Sequence, residues 1–296
     1  MTRRPVQGRA APDRAPAGGP LGEPALFSGG VLRNQRVAAG LYELLLAVPD
    51  AGDPPRPGQF VSLVLESGVA QPEFEGLEGP LLRRPFSVAG FVQARGRRRL
   101  KLLYASVGRI TRRMAALVPG ANIGLLGPLG TPFPLEVPEP ILLVGGGRGI
   151  APLLYLGETL ACRGRAFALV YGARRGAEML PAGQLPGGSI WLATEDGARG
   201  RRGTVLDVLD GLRLEAPTVM ACGPHGMLAS VAGWSAARGA ACWVSVEAVF
   251  GCGTGLCGGC AIPAAGKPPD FLWACRQGPV LPAESVDWER WNASDL

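Results

Sequence analysis

Histidine is nearly missing from this chain: His225 is the only one in 296 residues. A Ser-His-Asp triad would have to be built on that single side chain. Metal sites that need several imidazoles are excluded within the chain, a Rieske centre among them. Any redox metal must sit on sulfur or carboxylate. Lysine is almost as scarce, Lys101 and Lys267 being the only two among 30 basic residues. The net charge of +6 is spread along the chain and argues only weakly for nucleic acid, whereas the arginine fork suits phosphate and carboxylate groups. No run of 18 apolar residues occurs, so no membrane-spanning helix is expected. Residues 1–29 are rich in Arg, Pro, Ala and Gly and lack the apolar stretch of a secretory signal. They are expected to be a disordered tail on a cytoplasmic protein.

What is present points to several folded units. Hydrophobic residues make up 47% of the chain, enough for two or three domains with their own cores. Residues 30–136 hold short apolar runs separated by turns (30–48, 59–65, 85–91, 100–105). That pattern predicts a small antiparallel β-barrel with a short helix near Thr111–Leu117. From 137 to 241, strands alternate with helical stretches, which predicts a parallel α/β sheet of Rossmann type. Residues 242–296 turn rich in Gly, Cys and Pro and are expected to form a small ligand-held module with a C-terminal tail. The fold class expected is therefore multidomain, an antiparallel barrel plus α/β.

Four of the seven cysteines crowd into that last stretch. Cys252, Cys257, Cys260 and Cys275 are spaced C-x4-C-x2-C, then 14 residues, then C, the plant-type 2Fe–2S spacing. The glycines between them let a loop wrap tightly and leave main-chain N–H groups free to face sulfur. A structural zinc site is the alternative for four thiolates, but zinc ribbons pair two short knuckles and here the fourth Cys stands alone.

Two further segments read as nucleotide loops. Ile141–Val144 runs into Gly145-Gly146-Gly147-Arg148-Gly149 and then a helix start with Pro152. Such a strand, glycine turn and helix N-terminus can cradle a pyrophosphate, or can be a plain βα turn. Cys222-Gly223-Pro224 follows another strand, where α/β sheets bind ligands at the carboxyl ends of strands. Cys222 there is either a nicotinamide contact or a buried strand residue. Glu195 and Asp196 end a further strand and favour NAD over NADP, while Arg174 and Arg175 point the other way. In the barrel region, Arg84-Pro85-Phe86-Ser87 offers a cation for a diphosphate, a ring for a ring system and a hydroxyl for a ring nitrogen. Leu103-Tyr104-Ala105 and then Gly108, Ile110 and Thr111 lead into a helix start. Each of these also serves as an ordinary strand or cap residue.

Taken in order, R-P-F-S, G-x-x-T, G-P-L-G (Gly127–Gly130), G-G-G-x-G-x-A-P, C-G-P and the cysteine pattern resemble the ferredoxin–NADP reductase superfamily. Within it they are most similar to the electron-transfer subunit family of the NAD-dependent, type B dihydroorotate dehydrogenases. The likeness spans about residues 30–282. It implies FAD at Arg84–Ser87, Leu103–Ala105, Gly108, Ile110 and Thr111, and NAD at Gly145–Gly147, Gly149, Glu195, Asp196, Cys222 and Gly223. It also implies a 2Fe–2S cluster on the four cysteines, with no catalytic acid or base. The implied partner is an FMN-bearing catalytic subunit in a heterotetramer of two of each, with Phe271, Leu272 and Trp273 as either contacts to it or core residues. Phe86 and Gln277 depart from the family's usual residues. The same module could serve a hydrogenase, a sulfide dehydrogenase or a bifurcating transhydrogenase. A non-catalytic zinc or redox regulator is the reading from another class.

Overall fold

The computed structural model describes residues 23–50, 52–65, 83–266 and 270–294. The loop at 68–80 and most of the expected tail lie outside them. Six antiparallel strands form a closed barrel: β1 (Ala25–Ala38), β2 (Leu41–Val48), β3 (Phe60–Leu65), β4 (Arg84–Ala94), β5 (Arg97–Ala105) and β6 (Asn122–Leu129), in the order β1-β2-β5-β4-β3-β6. Alternation along β2 and β5 sends Leu44, Leu46, Leu100, Leu102 and Tyr104 inward, where Leu63, Val88, Ile123 and Leu125 meet them. Helix α1 (Arg109–Ala115) closes one end with Ile110 and Met114. β3 is different. Its run Phe-Val-Ser-Leu-Val-Leu is buried on both faces because other parts of the chain cover the barrel there.

The first strand begins at Ala25, inside the stretch expected to be tail. Ala25–Gly29 pair with Gly127–Ile123 of β6, and that pairing closes the barrel. The Arg/Pro/Ala/Gly composition hid this short apolar start.

The second unit is a seven-stranded sheet: β7 (Ile141–Gly146), β8 (Phe167–Ala173), β9 (Ser189–Thr194), β10 (Arg201–Arg202), β11 (Thr218–Cys222), β12 (Cys242–Ser245) and, much later in the chain, an edge strand at Val280–Pro282. The order is β10-β9-β8-β7-β11-β12-edge. Pairing is parallel throughout except at that edge. Helix α2 (Ile150–Cys162) packs between the sheet and the outer face of the barrel, where Ala89 and Leu103 join its cluster. Helices α3 (Val205–Leu209) and α4 (His225–Ala236) cover the opposite face.

The expected module boundary at 242 cuts through this sheet. β12 is its sixth strand, with Val244 fully buried, and the change to Gly, Cys and Pro begins only beyond it. The module proper carries a hairpin of β13 (Ala261–Pro263) and β14 (Phe271–Trp273). The chain then returns as the edge strand, β15, and ends in α5 (Trp288–Ser294). Trp291 and Trp288 of α5 lie 4.2 and 5.8 Å, ring to ring, from His225.

The return to β15 locks the module to the barrel. Thr131 N donates to Gly278 O (2.8 Å), and Thr131 Oγ1 donates to Val280 O (2.8 Å). Gln59 Nε2 donates to Gly130 O (2.8 Å) from the barrel side. A side chain on Gly130 would sit 2.4 Å from Pro279, so only glycine lets the two segments meet.

Asn34 knits the barrel to α1: Nδ2 donates to Met114 O (2.8 Å) and Leu117 O (3.1 Å), while Oδ1 accepts from Tyr104 (2.9 Å). Asn34→Ala removes all three bonds, although Met114 O keeps the Leu117 amide (3.0 Å), and should cost about 1–3 kcal/mol, read as a lower urea midpoint than that of the parent chain.

Candidate functional site

The loop from Gly251 to Cys260 bends around its own sulfurs. The amides of Thr254 (3.4 Å), Leu256 (3.3 Å) and Cys257 (3.4 Å) point at Cys252 Sγ. Those of Cys252 and Gly259 (both 3.4 Å) point at Cys257 Sγ. Gly255, at φ +84°, turns its amide onto Cys275 Sγ at 3.1 Å. The Cys260 and Cys275 sulfurs stand 3.2 Å apart. Cys260 and Cys275 thus pair sulfur to sulfur, while Cys252 and Cys257 are joined by each one's amide pointing at the other's sulfur. Among the described residues, no three Cys, His, Asp or Glu side chains converge on one point that a single metal ion could occupy. Two pairs suit two irons, each taking two thiolates, better than one tetrahedral zinc, and the sulfur-directed amides are donors of the kind that steady a cluster. Hydrogen bonds from Thr254, side chain first, pull the Cys252 thiol down to about 6, which favours the thiolate form that binds metal. Burial pushes Cys275 up to about 12.

The two glycine loops meet each other. β7 ends in Gly145-Gly146, and a short turn over 147–149 leads into α2. A side chain on Gly149 would stand 2.5 Å from Cys222 O, and one on Gly146 would stand 2.4 Å from Met227. These glycines give backbone-to-backbone packing of one loop on the other. Gly147, at φ +54° with nothing near it, is the one left open to a ligand. Cys222 ends β11 in register with Gly145 on one side and Ser245 on the other. Burial holds its thiol up at about 12, against a hydrogen bond with Ser245 that lowers it, so Cys222 is a neutral wall and not a nucleophile at pH 7.

Asp196 does structural work: its carboxylate accepts from the amides of Ala198 (3.0 Å) and Gly176 (3.2 Å), which hold it below the usual carboxylate range, Ala198 first. Glu195 beside it is exposed. Arg175 pairs with Glu178 at 2.7 Å, and Arg174 is exposed.

On the barrel, Arg84–Ser87 open β4 and lie half-buried, paired with Leu63–Phe60 of β3. The Phe86 ring meets the edge of Tyr104 at 6.2 Å. Tyr104 and Ile110 turn their side chains into the barrel core, which leaves their main-chain groups to face a ligand. Strand and helix periodicity put those side chains on the inner face. Leu103 faces α2 instead. Thr111 Oγ1 accepts from the amides of Val107 and Gly108 (both 2.9 Å), fixing the turn that starts α1. β5 lies against the 147–149 turn, which brings the barrel motif beside the glycine loops.

The cysteine loop closes the arrangement from the other side. Phe250 packs edge-on against Phe60 at 5.2 Å, and a methyl built on Gly253 would lie 3.7 Å from the Phe60 ring. Phe60 is the register partner of Ser87. The four-cysteine loop thus sits one strand away from the R-P-F-S motif.

The chain as a whole is similar to known proteins. The dihydroorotate dehydrogenase B (NAD(+)) electron transfer subunit of Shouchella clausii (strain KSM-K16) is 34% identical over 263 residues, covering 86% of this chain and 96% of that one. The chain belongs to this family of electron transfer subunits. The subunit of the same description from Bacillus cereus (strain B4264) is 32% identical over 270 residues, with the same coverage. Residues 247–287 match the model of the iron–sulfur cluster binding domain of dihydroorotate dehydrogenase B. Among solved structures, one of an NADH-dependent reduced ferredoxin–NADP oxidoreductase, described for flavin-based electron bifurcation, aligns with TM-score 0.76 at 26% identity, covering 94% of this chain and 93% of that one. A ferredoxin–NADP⁺ reductase from Neisseria gonorrhoeae shares the fold at TM-score 0.56 and 20% identity, covering 72% of this chain and 92% of that one.

For an electron transfer subunit of this family, two residues matter that sequence reasoning passed over, Ser245 and Thr131, and a third, Gln277, was noted only as a departure. Ser245 bonds the Cys222 thiol, and its only signal is its place at the end of β12. Thr131, directly after G-P-L-G, ties that motif to the return strand. Gln277 accepts from Trp273 N at 2.6 Å, so the departure from the usual residue is absorbed as a turn-closing hydrogen bond.

Cys257→Ser should abolish iron binding while leaving flavin bound, because the barrel motif does not use that sulfur. Iron and flavin counted on the same anaerobic preparation give the result.

Proposed function

We propose that this chain carries electrons from a flavoprotein catalytic subunit, which oxidises dihydroorotate in pyrimidine biosynthesis, to NAD⁺. The single observation that carries this is the placement of the four-cysteine loop, the R-P-F-S strand and the two glycine loops side by side. Bound FAD exchanges a hydride with NAD and single electrons with a 2Fe–2S cluster, which is why it belongs between them.

The residues divide accordingly. Cys252, Cys257, Cys260 and Cys275 hold the cluster. Arg84, Pro85, Phe86 and Ser87 hold FAD, with main-chain groups of Leu103–Ala105 and of the Gly108–Thr111 turn beside them; the interior Tyr104 and Ile110 shape this wall from behind. Gly145–Gly147, Gly149, Gly223 and Cys222 receive NAD. The neutral Cys222 thiol offers the nicotinamide no competing charge, and exposed Glu195 is placed for ribose hydroxyls, with Asp196 shaping that loop. The barrel is thereby the FAD domain, the sheet the NAD domain, and the C-terminal module the cluster domain. The chain supplies no acid or base of its own.

The catalytic partner carries its own FMN, two copies of each subunit form the assembly, and it works in the cytoplasm, a reducing compartment that keeps cluster thiols available. Around the cysteine loop the surface is apolar: Leu256 is 87% exposed, Val249 82% and Phe271 52%, with Trp273 beside them. Such a patch marks a protein contact, and here it surrounds the point where an electron would enter.

Anaerobically purified protein should be coloured, carry two irons per flavin and bleach with NADH. A colourless, zinc-bearing protein would overturn the reading. Leu256→Glu should leave NADH bleaching intact yet slow reduction of the chain by dihydroorotate with its dehydrogenase subunit, by about tenfold or more for loss of a central apolar contact.

A further inference from the structure

The carboxyl end of β11 is spanned by a charged bridge that nothing above uses. Gly145 of β7, Cys222 of β11 and Ser245 of β12 stand in one register row, with β11 in the middle. Just past that row, β7 runs into Arg148 and β12 runs into Glu247. Arg148 Nη2 lies 3.5 Å from Glu247 Oε1. The two side chains therefore reach toward each other across the end of the strand that carries Cys222. Glu247 is near enough to that thiol to act on it electrostatically. Both side chains are exposed and make one long contact, the kind of pair that water and salt hold weakly.

We propose that Arg148 is the side chain that grips the pyrophosphate of the incoming dinucleotide, and that Glu247 is its resting counter-ion, a strap across the mouth of the NAD site. This rests on the reading that NAD binds at the ends of β7 and β11. The chemistry favours the exchange. Arg148 sits in the turn that opens α2, a 13-residue helix whose N-terminus already attracts anions. A guanidinium takes phosphate oxygens through two parallel N–H donors, where the single exposed carboxylate now offers one contact. On entry of the dinucleotide, Arg148 trades Glu247 for phosphate and the strap opens. Glu247 then competes with the ligand, so it sets affinity by opposing it.

The test is a double-mutant cycle on the cofactor-loaded chain, by calorimetric titration with NAD⁺ and with ADP-ribose, which keeps the pyrophosphate but lacks nicotinamide. Arg148→Ala should weaken both ligands about tenfold, as loss of a charge-assisted hydrogen bond does, with partial recovery in Arg148→Lys. Glu247→Gln should tighten both about two- to fivefold, the size of a surface ion pair, and should do nothing in the Arg148→Ala background. Flavin and iron contents equal to the parent's show that each variant is folded. The proposal is overturned if Glu247→Gln weakens ADP-ribose, if its gain persists without Arg148, or if Arg148→Ala leaves both affinities unchanged. If the parent chain binds NAD⁺ normally while the cycle is additive, the strap alone is wrong. If the parent binds neither ligand, the NAD site itself is misplaced and the strap falls with it.

Discussion

The position of the cysteine module relative to the barrel depends on one short set of hydrogen bonds, those of Thr131 with Gly278 and Val280. They are made by main chain and one hydroxyl, at a spot where Gly130 allows Pro279 to approach. Because β15 then joins the edge of the large sheet beside β12, the same few residues register all three units at once. Long flexible side chains could not hold that spacing, since each would give up rotamer freedom to do so. Sites that must work together are best carried on such rigid elements.

The burial of β3 shows the same logic in the sequence. A barrel strand with one wet face alternates, and β2 does, as does β5 up to Leu102, beyond which α2 covers its outer face at Leu103. Phe60–Leu65 does not, because its outer face lies under the chain that leads into the cysteine loop, with Phe60 against Phe250. The apolar run was readable as a strand. What it was buried against was not, since the covering residues lie nearly two hundred positions away.

Local chemistry made the strongest features legible. The C-x4-C-x2-C spacing is set by how far a loop can wrap around sulfur, so it survives as a pattern, and the strand–glycine–helix order follows from a βα turn. Less was legible where a residue's place depends on which face it presents or on a distant partner. Tyr104 and Ile110 lie within the expected flavin segments, yet periodicity turns their side chains to the core. Asp196 reads as a ribose ligand, and its carboxylate also accepts from two loop amides that the sequence did not announce. Ala25–Gly29 read as tail because pairing with β6, not composition, makes them a strand. The sheet strand β12 read as part of the cysteine module because the composition change lies so close behind it.

The last helix carries a practical consequence. Trp288 and Trp291 stack beside His225, which opens α4 immediately after Cys222-Gly223-Pro224. Two indoles from the far end of the polypeptide thus abut the segment that opens α4, so the end of the chain and the start of that helix share one aromatic cluster. A fusion joined behind the last helix would load that cluster.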